Sequence, residues 1–126
     1  MIVPVTGSRS WTDPYVIHDT LDALHKRDKV FTLIHGGATG ADAMADQWSE
    51  FNSKVNVRRF PVTPEHWTKY GKSAGIKRNI YMVNLMPDIV LGFIRNNSPG
   101  ASQCVEYAKS KNIRTYAFRQ DYPVIA

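Results

Sequence analysis

A chain of 126 residues is long enough for one compact domain with a real core and too short for two. Its 43% hydrophobic content is ordinary, no apolar run approaches the roughly 20 residues of a membrane helix, and its start does not read as a secretion leader. One cysteine excludes an intrachain disulfide and a multi-cysteine zinc site, which fits the cytoplasm, and a net charge of +5 favours an anionic partner such as a nucleotide, a nucleic acid or a phosphate ester.

Ile2 to Thr6 reads as a buried strand, although Pro4 removes a ladder donor and argues for an edge or a strand start. The strand breaks at Gly7-Ser8-Arg9. Asp13-Pro14 reads as an N-cap followed by proline at the first helical position, with Ile17, Thr20, Leu21 and Leu24 as the inner stripe. Lys26 to Lys29 is a solvated turn. Val30 to Ile34 is the second strand, and His35-Gly36-Gly37-Ala38-Thr39-Gly40 leads from it into a second helix. Ala41, Met44, Ala45, Trp48 and Phe51 give that helix its apolar face. Asp42, Asp46 and Glu50 form an acidic row on it, read as a solvated outer face, with Asp42 set apart by its place in the first turn. Val55 to Phe60 is the third strand.

Pro61 to Gly71 carries two prolines, His66, Trp67 and Tyr70, and reads as a long irregular loop of the kind that is often functional. Lys72-Ser73-Ala74-Gly75 opens a third helix with Ile76, Ile80 and Val83 on its core face. Asp88 to Ile94 is the fourth strand, and Arg95 to Gly100 a second turn-rich loop. Ala101, Cys104, Val105 and Ala108 mark one face of a fourth helix, which Asn112 caps. Ile113 to Phe118 is the fifth strand, followed by a short tail.

Strands alternating with helices predict an α/β fold: a Rossmann-like three-layer domain over residues 1–126, with a mainly parallel five-stranded sheet and helices on both faces. Ligands of such sheets bind beyond the carboxyl ends of the strands. Gly7-Ser8-Arg9, His35 to Gly40, Pro61 to Gly71 and Asn96 to Ser102 all follow strands and are expected on one rim.

The rim residues suggest anion binding. Glycine lets a group approach the main chain closely, and a glycine-rich turn into a helix offers N–H groups at the positive end of the helix dipole. Gly36, Gly37 and Gly40, with Ala38 and Thr39 between them, are therefore expected to cradle a phosphate. Arg9 suits a bidentate grip on phosphate or carboxylate. Lys72 is a second cation, and Gly100, Ala101 and Ser102 open a helix that suits a second phosphate. Asp42 suits a ribose hydroxyl, the loop amides or a helix cap. His35 is expected to be a hydrogen-bonded structural histidine, Cys104 a core residue and Trp67 a loop anchor or a base-stacking ring. There is no Gly-x-Ser-x-Gly elbow, Walker lysine, Cys/His pair or metal-ligand spacing of histidines, so no catalytic residue, metal or cofactor is assigned.

Four segments together, Gly7-Ser8-Arg9, His35 to Asp42, Lys72 to Asn79 and Ser98 to Ser102, resemble the SLOG superfamily and within it the YspA-like branch of small stand-alone proteins, many of them in bacteria and phages. The resemblance runs from about Val3 to about Phe118. It implies a Rossmann-like domain that binds a nucleotide-derived small molecule, ADP-ribose-, NAD- or cyclic-nucleotide-like, as a sensor or sequestering protein. It also implies a role for the Arg78-Asn79 pair, one residue touching the ligand and the other bracing the glycine loop. Kinship with cytokinin-activating phosphoribohydrolases gives an alternative, hydrolysis of the N-glycosidic bond of a nucleoside monophosphate. Those enzymes carry Pro-Gly-Gly-x-Gly-Thr-x-x-Glu. Here Ser98 to Glu106 has a shifted Pro-Gly and lacks Gly-Thr. Kinship with a DNA-processing protein gives a second alternative, single-stranded nucleic-acid binding through Arg58, Arg59, Lys69, Lys72, Lys77 and Arg78. Small domains of this kind often pair, so a homo-oligomer is expected.

Overall fold

The computed structural model describes residues 1–52 and 55–120, and in it strands and helices alternate along the chain. The strands are β1 (Ile2–Gly7), β2 (Phe31–His35), β3 (Val55–Arg59), β4 (Ile89–Arg95) and β5 (Arg114–Gln120). The helices are α1 (Pro14–Arg27), α2 (Ala41–Glu50), α3 (Pro64–Tyr70), α4 (Ser73–Val83) and α5 (Pro99–Ser110). The strands form one parallel sheet in the order β3-β2-β1-β4-β5, the Rossmann-like three-layer α/β architecture expected. The tail read after the fifth strand lies outside the described residues from 121 on.

Strand periodicity makes the layers. Side chains alternate across a strand, so one strand feeds both faces. Ile89, Leu91 and Phe93 of β4 pack with Ile17, Leu21 and Leu24 of α1 and with Ala41, Ala45 and Trp48 of α2. Val90 turns the other way, onto Val83, Cys104 and Ala108, and Ile94 onto Ala101 and Val105. Both faces of β4 are covered, which is why it reads as an unbroken apolar run.

Local signals set the ends. Asp13 Oδ1 accepts from the amides of Tyr15 and Val16, a cap worth about 1 kcal/mol. Asn112 takes φ 59° beyond α5 and donates its amide to Lys109 O.

Four expectations are corrected. Pro4 lies in the central strand, not at an edge: it registers with Ile34 of β2, and the β1–β4 ladder begins only at Val5, beyond the missing donor. Pro61 to Gly71 is not wholly irregular. Thr63 Oγ1 accepts from His66 N, Pro64 takes the first helical position, and α3 follows, with no buried residue. Phe51 ends α2 exposed to solvent rather than in the core. On α4 the core residues are Ala74, Asn79, Met82 and Val83, while Ile76 is exposed. No helix among the described residues is long and apolar enough to cross a membrane.

Candidate functional site

Strand order turns at β1, whose neighbours β2 and β4 run on to opposite edges of the sheet. At such a switch point the loops leaving adjacent strands diverge and open a crevice. A cavity of about 520 Å³ lies there, lined by Gly7, Ser8, Arg9, Ala38 and Asp42 from the β1 and β2 ends. Lys72, Ile76, Arg78 and Asn79 line it from α4 and its approach, and Ser98, Gly100 and Ala101 from the start of α5. Ile76 thus supplies apolar wall instead of core.

The first N–H groups of a helix lack intrahelical acceptors. In α5, Pro99 has none to offer, so Gly100 and Ala101 bring the first free amides of that helix to the cavity. Their dipole end faces the same space as Arg9, Lys72 and Arg78. Asp42 is the one carboxylate among the described residues lining it. Thr39, Gly40 and Ser102 do not line this cavity, and Gly36 and Gly37 line a smaller one of about 100 Å³ beside it, with Pro61 and Trp67.

The glycine loop is internally wired. Asp42 Oδ2 accepts from Gly36 N at 3.1 Å and Ala38 N at 3.3 Å. Gly37 N donates to His35 Nδ1 at 2.9 Å. These three amides are already engaged, so the loop's part is to shape the wall and hold Arg78 rather than to offer a row of donors. The Arg78 guanidinium lies over Gly36, where a Cβ would overlap it, and Nη1 donates to Gly36 O at 2.7 Å and Phe60 O at 3.3 Å. Arg78 Nε donates to Asn79 Oδ1, and Asn79 Nδ2 donates to Gly100 O. Arg78 braces the glycine loop, and Asn79 braces the α5 loop. Burial pushes the Arg78 pKa down, against the pull of Asp42.

Ser8 is consumed by structure. Its Oγ accepts from Arg95 N at 2.7 Å and shares a short hydrogen bond with Ser98 Oγ, and its carbonyl accepts from Ala41 N. Arg9 and Lys72 are exposed at the cavity.

His35 is 2% exposed and both ring nitrogens are used. Because Nδ1 accepts from Gly37, the proton sits on Nε2, which donates to Asp46 Oδ1 at 2.7 Å. Arg59 Nε donates to the same oxygen. His35 is therefore the structural histidine expected, and Asp46 is no plain solvated residue. The sequence signal for Asp46 was only its place one turn after Asp42. Cys104 is core, with burial pushing its thiol up to about 11.

The two aspartates on α2 shift in opposite directions. Burial raises the Asp42 pKa, despite the lowering by the amides of Ala38 and Gly36 and by the Arg78 guanidinium, and its Oδ1 is buried without a partner among the described residues. Burial also works against Asp46, but hydrogen bonds from Arg59 and His35 hold its carboxyl below the ordinary value. A raised folded pKa favours the fold below the ordinary carboxylate value of 3.8 and withdraws that stability as pH rises through the folded value. Asp42→Asn is expected to remove that upward-pH loss while keeping the acceptor for Gly36 and Ala38. Urea unfolding from pH 4 to 7 checks it. An unchanged slope with pH would show that Asp42 ionises freely.

Glu106, the residue nearest the phosphoribohydrolase glutamate in sequence, lies on the exposed side of α5, 3.7 Å from Lys109 Nζ, and does not line the cavity. No group of three or more His, Cys, Asp or Glu among the described residues is placed to hold a metal.

The sequence model of a family described as "YspA, cpYpsA-related SLOG family" matches residues 1–67. Among curated proteins the chain is similar to "Gene 61 protein" of Mycobacterium phage D29, 38% identical over 121 residues, covering 92% of this chain and 94% of that one. No solved structure matches it.

Proposed function

Since the chain belongs to the YspA, cpYpsA-related SLOG family, we propose that it binds a nucleotide-derived small molecule in the β1–β4 crevice and serves as a sensor or sequestering protein. One observation carries this reading: Arg9, Lys72 and Arg78 share a cavity with the amino end of α5, against a single carboxylate among the described residues. A phosphate there meets two exposed cations, one hydrogen-bonded guanidinium and a helix dipole. Asp42, buried beside the same cavity, suits a sugar hydroxyl. The volume, about 520 Å³, is in the range of small-molecule sites.

Binding is favoured over N-glycosidic hydrolysis because the described residues bring no second carboxylate to the cavity and Glu106 faces solvent. Both nitrogens of His35 are engaged, so it offers no base.

Calorimetry against AMP, ADP-ribose and a cyclic dinucleotide tests the reading. Arg9→Ala is expected to weaken binding about tenfold, the scale of one charge-assisted hydrogen bond, with melting temperature unchanged because Arg9 is exposed. Absence of binding below millimolar across the panel, or an Arg9→Ala protein that binds like wild type, would overturn it.

A further inference from the structure

A second concavity lies across Arg78 from the crevice. Its volume is about 410 Å³, and Phe60, His66, Tyr70, Lys77, Arg78 and Tyr81 line it. The smaller hollow at Pro61 and Trp67 shares Arg78 with both, so one residue lines all three. The groove's rings come from the end of β3, from α3 and from α4. Phe60 and Tyr81 meet at 5.6 Å between centroids, and His66 and Tyr70 at 6.3 Å.

Cations lie over these rings. Arg58 sits over Phe60 at 5.2 Å, and Lys69 and Lys77 over Tyr70 at 5.3 and 4.8 Å. Among the described residues no carboxylate lines the groove. This combination narrows the occupant. A hydrocarbon surface would strip water from Lys77 and Arg78 without replacing their hydrogen bonds. A second copy of the same face would set like charge against like charge. A flat heteroaromatic ring with acceptor atoms stacks on Tyr81, and on Tyr70 where it takes the place of a lysine that then donates to its edge, and an anionic group attached to it adds attraction.

We infer that this groove is the nucleobase subsite of the ligand whose phosphate lies in the β1–β4 crevice, with Arg78 as the partition between the two. This rests on the binding reading above and sharpens it: the base lies outside the crevice, against the rings of α3 and α4. Tyr70 is the ring to test, because α3 has no buried residue and its truncation leaves the core intact.

The test compares AMP with ribose 5-phosphate, which differ by the base alone, and adds adenosine and a short oligothymidine strand. Wild type is expected to hold AMP about tenfold more tightly than ribose 5-phosphate, within the range of one base–aromatic contact. Tyr70→Ala should bring AMP to the level of ribose 5-phosphate and leave the latter unchanged. Tyr81→Ala, on α4, should act in the same direction. Equal affinity of wild type for AMP and ribose 5-phosphate overturns the inference and leaves the crevice reading standing. Failure of AMP, ribose 5-phosphate and adenosine, with ADP-ribose and the cyclic dinucleotide failing too, overturns both. Oligothymidine binding that Tyr70→Ala weakens, with no binding of AMP, assigns the groove to a nucleic-acid strand instead and overturns the inference.

Discussion

Gly40→Ala is expected to destabilise the protein by about 3 kcal/mol or more, the sum of a strained backbone and an overfilled contact. Gly40 precedes α2 at φ 73° and ψ −124°, a region open to glycine and costly for other residues. A Cβ there would also overlap the carbonyl oxygens of Arg9 and Ser8, which are backbone and cannot swing aside. Gly71 supplies the control. It has φ 57° and ψ −137°, and a Cβ added to it meets nothing within 4 Å. Gly71→Ala should therefore show the conformational part alone, about 1 kcal/mol at the low end of such strain. Thermal melting of the two variants separates the terms, with Gly40→Ala expected to fall by about 10 °C. Equal losses in the two would mean that the strand-to-helix turn relaxes around the extra carbon.

Arg78→Ala is expected to cost both stability and binding. It leaves Gly36 O, Phe60 O and Asn79 Oδ1 without their donor, and an unpaired buried polar group costs about 1–3 kcal/mol. It also takes from Asp42 a cation that favours its ionised form. Loss of AMP binding by more than tenfold should accompany the lost stability, since the guanidinium lines every concavity of the proposed site. Arg78→Lys should not restore either property, because a single ammonium cannot reproduce a planar fork aimed at three oxygens. Urea unfolding and calorimetry, run on the same preparations, check this. The contrast with Arg9→Ala is the useful part. That variant is expected to lose affinity without losing stability. An Arg78→Ala protein of wild-type stability would mean that the loop holds its shape without the arginine.

Much of this molecule could be read from its residues, and the misreadings share a cause. The alternation of five apolar runs with four helical patterns led to the sheet, because each apolar run is short and each helical stripe is local in sequence. Ala101, Cys104, Val105 and Ala108 pack as their spacing predicts. Pro4 misled because the edge rule assumes that every residue of a central strand must donate, whereas the β1–β4 ladder begins after it. The helix α3 escaped notice because it has no buried face and hence no apolar period, although Thr63 and Pro64 carried its start signal. The glycine loop was legible as a rim turn, but its wiring was not. Nothing local in the sequence tells that the amides of Gly36 and Gly37 are taken by Asp42 and His35. Asp46 was obscured in the same way: its partners His35 and Arg59 lie 11 and 13 residues away, on β2 and β3. The aromatic groove is assembled from three elements and has no motif at all.

The contacts around the crevice close into a hoop. Asp42 holds Gly36, Gly36 holds Arg78, Arg78 holds Asn79, and Asn79 holds Gly100. From the start of α5, Ser98 reaches Ser8, and Ser8 returns through Ala41 to the helix that carries Asp42. The turns at Ser8, Gly36 and Ser98 are thus tied to one another through α2 and α4. For a guest of the proposed kind, the backbone of this ring would have little left to immobilise, and ordering would fall mainly on the exposed side chains of Arg9 and Lys72.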